Sequence, residues 1–239
     1  KALTGFIKNR KLGVFKIDRS PLSVAITLDS SGSMMPAMLD LKRAVAHFIR
    51  VLEPYDQALL LSFSDIPKVL VNWTLDQDKL VMALGPIDAF GPTALYDAIH
   101  KSAFELSVMP GRRVLLLLTD GQDQNAPGTA LQSRHSLKEA LDLAVANQVV
   151  IHVIALGRYV NLAELEHIAR ETKGELYKTN RSQDLEDLYM LISRNLKKGM
   201  SGTDVTRLQQ FLALDPSIYP EKSVTGYYGA LTEAAVKRF

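Results

Sequence analysis

Leu22-Ser23-Val24-Ala25-Ile26-Thr27-Leu28-Asp29-Ser30-Ser31-Gly32-Ser33 is the stretch on which the reading of this chain turns. Its first seven residues are mostly apolar and bounded, as in a buried strand. The run then stops on an aspartate and a set of small hydroxyls. A strand that ends this way places hard oxygen donors at one edge of a sheet. Oxygen ligands of that kind suit magnesium or a similar cation.

Two distant pieces repeat the theme. Val114 to Leu118 is a second apolar run, and it ends in Thr119-Asp120-Gly121. Thr93 sits in a Gly91-Pro92-Thr93 turn just before a helical stretch. Taken alone, each piece has a plainer reading as a helix cap or a turn. Taken together, they form a candidate site from three loops.

The rest of the chain supplies the frame. Met38, Leu41, Val45, Phe48 and Leu52 recur at helical spacing, and Glu53-Pro54 ends that helix. Ala58 to Phe63 reads as a strand, with Lys68 to Trp73 as its short partner after the turn at Asp65-Ile66-Pro67. Helices are expected near residues 76–84, 94–108, 136–146, 161–170 and 183–195. Strands are expected at Val149 to Leu156 and Glu175 to Lys178. Strands separated by helices imply an α/β fold, a doubly wound and mostly parallel sheet with helices on both faces. In such a sheet ligands bind beyond the carboxyl ends of the strands, where the strand order reverses. Asp29 ends the first strand and Asp120 follows the fourth, and these are expected to be neighbours at that point.

Asp29, Ser31 and Ser33 put three side chains on one tight loop, with Gly32 expected to permit the turn. Thr93 and Asp120 can close the cage. If the three hydroxyls bind directly, the aspartates act through water or orient the hydroxyls. The ion then stays electron-poor and keeps an open position, which an outside carboxylate fills well.

With these residues on the page, residues 22–195 resemble the von Willebrand factor A domain. That family's metal-ion-dependent adhesion site uses Asp-x-Ser-x-Ser, a separate Thr and a separate Asp, and all five positions match as Asp29, Ser31, Ser33, Thr93 and Asp120. The resemblance implies a Rossmann-like fold and no enzymatic activity. It also implies a protein ligand offering an Asp or Glu carboxylate, with Mg2+, Mn2+ or Ca2+ as the cofactor. The chain looks closest to bacterial members, several of which are envelope or secreted proteins.

Residues 196–239 form a separate helical stretch that is similar to the small peptidoglycan-binding domain. The carrying residues are Gly202, Asp204, Val205, Leu208, Gln209 and Leu212, then Gly226, Tyr228, Gly229, Thr232, Ala235, Val236 and Phe239. Val205, Leu208 and Leu212 are expected to line one face, and Leu231, Ala235 and Phe239 another. Tyr219 and Tyr227 can stack on a glycan, although core or surface roles explain them as simply. The expected organisation is an N-terminal extension over 1–20, a von Willebrand factor A domain over 21–195, and a truncated peptidoglycan-binding-like domain over 196–239. A chain starting at Lys1 and ending inside an apparent helix is expected to be part of a longer protein with a targeting segment removed.

Bulk properties fit this reading. A net charge of +2 gives no argument for nucleic acid or an anionic membrane. The sequence has no cysteine, which removes disulfides and thiol catalysis. No apolar run reaches the roughly 18–20 residues of a membrane span. The five histidines, His47, His100, His135, His152 and His167, show no close pairing in sequence. No phosphate-cradling Gly-Lys-Ser/Thr loop or Gly-x-Ser-x-Gly elbow occurs. Trp73 reads as an apolar anchor. Asp123, just beyond Asp120, can touch the metal rim, although a solvated loop carboxylate explains it more simply.

The leading expectation is a metal-dependent protein-binding module of the adhesion type, tethered to the bacterial cell wall and lying outside the cytoplasm. A cytosolic assembly factor that partners an ATPase machine is the alternative. A metal-dependent hydrolase is a third reading, without an obvious general base or a dinuclear carboxylate cluster.

Overall fold

Leu22–Asp29 forms strand β1, and all eight of its residues are buried, as a strand covered on both faces must be. A computed structural model describes residues 21–125, 128–156, 160–178, 196 and 198–238. The other strands are β2 (Gln57–Phe63), β3 (Pro67–Thr74), β4 (Arg112–Thr119), β5 (Val149–Ala155) and β6 (Leu176–Lys178). They lie in the order β3-β2-β1-β4-β5-β6. All neighbours run parallel except the β2–β3 pair. The sheet grows outward from β1 in both directions, so the strand order reverses between β1 and β4.

The helices are α1 (Met38–Val51), α2 (Gln77–Leu84), α3 (Leu95–Ser107), α4 (Leu137–Ala146) and α5 (Leu162–Glu171), then α6 (Thr203–Leu212) and α7 (Ala230–Arg238). Their starts follow from local chemistry. Asp76 accepts the Lys79 amide at 3.0 Å to open α2, and Ser136 with Glu139 forms a reciprocal capping box on α4.

Alternation along the central strands feeds two cores. Val24, Ile26, Leu28, Leu60, Leu116 and Leu118 pack toward α1 and α2. Ala25, Leu59, Leu61, Leu115, Leu117 and Ile151 pack toward α3, α4 and α5. Each such leucine or isoleucine contributes about 1.5–3 kcal/mol by leaving water.

The β2–β3 ladder is irregular. Leu60 pairs with Val71 while the next residue, Leu61, pairs with Val69. Leu70 is therefore the extra residue of a β-bulge, a feature that re-aims side chains. Val71 turns into the α1–α2 core and Leu70 stays exposed.

A third, smaller core gathers Leu196, Val205, Leu208, Leu212, Tyr219, Tyr228 and Ala235. The α6 face matches the expectation from spacing. The α7 face matches at Ala235, which is buried, but not at Leu231, which is exposed while Thr232 is buried. The α7 stripe is rotated because the Thr232 hydroxyl accepts a hydrogen bond from buried Gln209 at 2.9 Å. The extension over 1–20, the helix expected over 183–195, and Phe239 lie outside the described residues. Among the described residues, no helix is long and apolar enough to cross a membrane.

Candidate metal centre

Asp29 is the last residue of β1 and Thr119 the last of β4, its neighbour in the sheet. The Thr119 hydroxyl donates to Asp29 Oδ2 at 2.6 Å, and the Ser31 amide donates to Asp29 Oδ1 at 2.9 Å. Thr119 carries no assigned role in the sequence reading. Its position just before Asp120, at the end of an apolar run, is the signal that could have found it.

Backbone bonds stitch the three loops together. Gly32 N–H donates to Gly91 O at 3.0 Å, and Phe90 N–H to Ser30 O at 2.9 Å. Thr93 and Gln124 exchange two amide-to-carbonyl bonds, each 2.9 Å. The loop after β1, the turn before α3 and the loop after β4 therefore meet at the switch point. All five sequence-chosen residues sit on these loops.

Their side chains differ in exposure. Asp29, Ser31, Thr93 and Asp120 are buried, whereas Ser33 faces solvent. The Ser31 and Ser33 hydroxyls lie 3.1 Å apart. Ser33 also hydrogen-bonds to Asp120. The plainer cap readings are not realised. Ser31 precedes a 3-10 turn (Gly32–Ala37) without making a side-chain cap bond, and α3 is capped at Ala94 rather than Thr93.

Gly32 corrects one expectation. A Cβ there would meet Gly91 O at an ordinary 3.5 Å, and the residue does not take a left-handed conformation. The turn uses its amide, not its freedom. Gly121 is the residue with a steric demand: its φ is +84°, and a Cβ would come within 2.6 Å of Leu165 Cγ.

The electrostatics are unbalanced. Burial pushes the Asp29 carboxyl up to about 6, against the lowering effect of the Ser31 and Thr119 hydrogen bonds, and the Asp120 charge adds to the rise. Burial likewise raises Asp120. Asp120 Oδ1 is buried without a hydrogen-bond partner. Among the described residues, neither aspartate forms an ion pair with Lys, Arg or His. Two carboxylates with an orphaned oxygen, beside three hydroxyls, are a donor set that fits a hard cation. Among the described residues, no group of three or more His, Cys, Asp or Glu is arranged to hold a metal ion.

Two sequence readings change here. Asp123 is a buried brace, not a solvated carboxylate or a rim residue. It accepts from the amides of Tyr96, Gln132 and Ser133 at 3.0, 2.7 and 3.0 Å, and also from the Ser133 hydroxyl. It ties the start of α3 to the loop after β4, and these saturated bonds exclude it from a metal role. The histidines are not all isolated either. His100 and His135 stack with ring centroids 3.8 Å apart, and His135 Nδ1 lies 2.6 Å from Asp97 Oδ1. Thirty-five residues separate the pair in sequence, so spacing could not show it.

A sheet with this order and three loops meeting at its switch point defines an α/β doubly wound domain. Residues 24–122 match the family model described as von Willebrand factor type A domain. Solved structures agree on the fold. An aerotolerance-related membrane protein from Bacteroides fragilis is 18% identical with a TM-score of 0.60, covering 73% of this chain and all of that one. A von Willebrand factor type A protein from Catenulispora acidiphila is 21% identical with a TM-score of 0.63, and covers 76% of this chain but 44% of its own. The vWF domain of the type V pili tip protein Mfa5 from Porphyromonas gingivalis is 12% identical with a TM-score of 0.58, covering 77% and 99%. No curated protein matches the chain.

Proposed function

We propose that this chain is a non-catalytic, metal-dependent protein-binding module. Ser31, Ser33 and Thr93 would hold a Mg2+ or Mn2+ ion, with Asp29 and Asp120 orienting them or acting through water. The bound ion supplies a Lewis-acidic position for an Asp or Glu carboxylate from a partner protein. The observation that carries this reading is the buried, unpartnered Asp120 Oδ1 beside the hydroxyl set, with a second buried carboxylate and, among the described residues, no ion pair to balance either. Two uncompensated buried carboxylates cost several kcal/mol, and a cation offsets that cost. Solvent-facing Ser33 leaves the centre open to a partner.

The test is calorimetric titration of the full chain with Mg2+ or Mn2+. One cation per chain should bind, and Asp29→Ala or Ser33→Ala should weaken binding by about 100-fold. No binding, or equal binding after these changes, would sink the metal reading.

We further propose that the C-terminal helical segment holds the protein at peptidoglycan, outside the cytoplasm of a bacterium. Its family-like spacing supports this, as do the membrane and pilus-tip proteins that share the larger fold. Tyr219 is buried, with its hydroxyl bonded to Ser223 O at 2.7 Å, which leaves exposed Tyr227 as the aromatic available to a glycan. Retention on purified sacculi supports wall binding. Free passage of the full chain would favour the assembly-factor reading instead.

A further inference from the structure

A groove of about 360 Å³ opens beside the metal loops. One wall is the β2–β3 hairpin, which supplies Ser62, Ser64, Ile66, Lys68 and Leu70. The other is the connection after α2, with Ile87, Asp88 and Phe90. Ser30 belongs to both the groove and the first metal loop, and its carbonyl holds the Phe90 amide. Three large apolar side chains stay exposed here: Phe90 at 60%, Ile66 at 48% and Leu70 at 39%. Leu70 faces the groove by plain strand alternation, two residues on from Lys68 on the same face of β3. A built apolar recess next to a polar centre is a feature of binding sites rather than of plain surface.

Charge narrows the occupant. Lys68 is the one basic residue lining the groove, and it makes no ion pair among the described residues. Asp88, on the other wall, does not pair with it. We propose that the groove is a second subsite for the same partner segment whose carboxylate reaches the metal centre, an inference that rests on the metal reading above. The segment is extended and carries an Asp or Glu for the centre, then a large apolar residue for the groove, then a second acidic residue for Lys68. Adjacent same-face residues of an extended chain lie about 6.6 Å apart, which suits a subsite sharing Ser30 with the metal loop.

The test uses the full chain with Mg2+ and the blocked peptide Ser-Glu-Gly-Phe-Gly-Glu-Ser, followed by amide chemical shifts. The peptide should shift residues 66–70 and 86–90, and should bind about ten-fold tighter than the version with Ser in place of Phe. Phe90→Ser and Leu70→Ser should each bring the two peptides close to equal affinity while leaving Mg2+ binding unchanged. Lys68→Glu should weaken the parent peptide. The proposal is overturned if Phe gives no advantage, if the groove variants keep that advantage, or if binding is the same in EDTA. It is equally overturned if Mg2+ binds and no peptide shifts these residues. Loss of the metal reading shows separately, as absence of Mg2+ binding by calorimetry.

Discussion

Gln209 in the small core and Asp120 at the switch point are both buried polar side chains, and they are used in opposite ways. Gln209 is saturated. Its amide nitrogen donates to Thr225 Oγ1, Tyr227 O and Thr232 Oγ1 at 3.3, 2.8 and 2.9 Å, and its oxygen accepts from Thr225 and Gly226 amides at 2.8 Å each. Asp120 keeps one oxygen buried and unpartnered. Burial of a polar group therefore does not mark a site. An unpartnered carboxylate oxygen set among other oxygen donors does, whereas the equally unpartnered Trp73 Nε1 on β3 has no such neighbours to make it a site.

The comparison breaks most visibly at Gln209. Gln209→Ala should destabilise the C-terminal helical segment by about 3–4 kcal/mol, since it opens a cavity and strands two amides. Hydrogen exchange over 199–238 should report the loss, while Mg2+ binding stays unchanged. Asp120→Ala should do the reverse, lowering metal affinity about 100-fold, or about 2.7 kcal/mol, with the melting of the metal-free chain little changed or raised. If both variants lose stability and neither loses metal, the distinction between saturated and unspent groups fails.

A smaller effect comes from a half-buried group. Burial, aided by the Arg112 charge, holds the His152 imidazole down at about 4. Its depressed folded value means that stability is complete above the unfolded value near 6.5 and is lost as pH falls toward 4. Between pH 7.5 and pH 5 this amounts to about 2 kcal/mol. Denaturant midpoints of the wild type and His152→Gln should converge as pH falls through that window. Parallel curves would show that His152 titrates alike in both states.

The sheet and the meeting of the three loops that carry the five candidate residues are legible in the sequence for a physical reason. Buried parallel strands must be apolar on both faces, so Leu22–Leu28 and Val114–Leu118 stand out, and chemistry then collects where they end. The antiparallel β3 follows from its turn residues. What the sequence hid depends on distant contacts. Asp123 looks like any loop acid until its three amide donors are seen. His100 meets His135 only through the packing of α3 against the loop before α4. Leu231 and Thr232 exchange expected places because a buried hydroxyl was needed by Gln209. The groove depends on how the β2–β3 hairpin faces the connection after α2, a long-range contact that leaves no mark in hydropathy.

The most direct measurement of the central claim is an anomalous difference map from crystals of the full chain grown with Mn2+. The account predicts one strong peak at coordination distance from the Ser31, Ser33 and Thr93 hydroxyls. A map with no peak there, or with its only peak elsewhere on the chain, would contradict it.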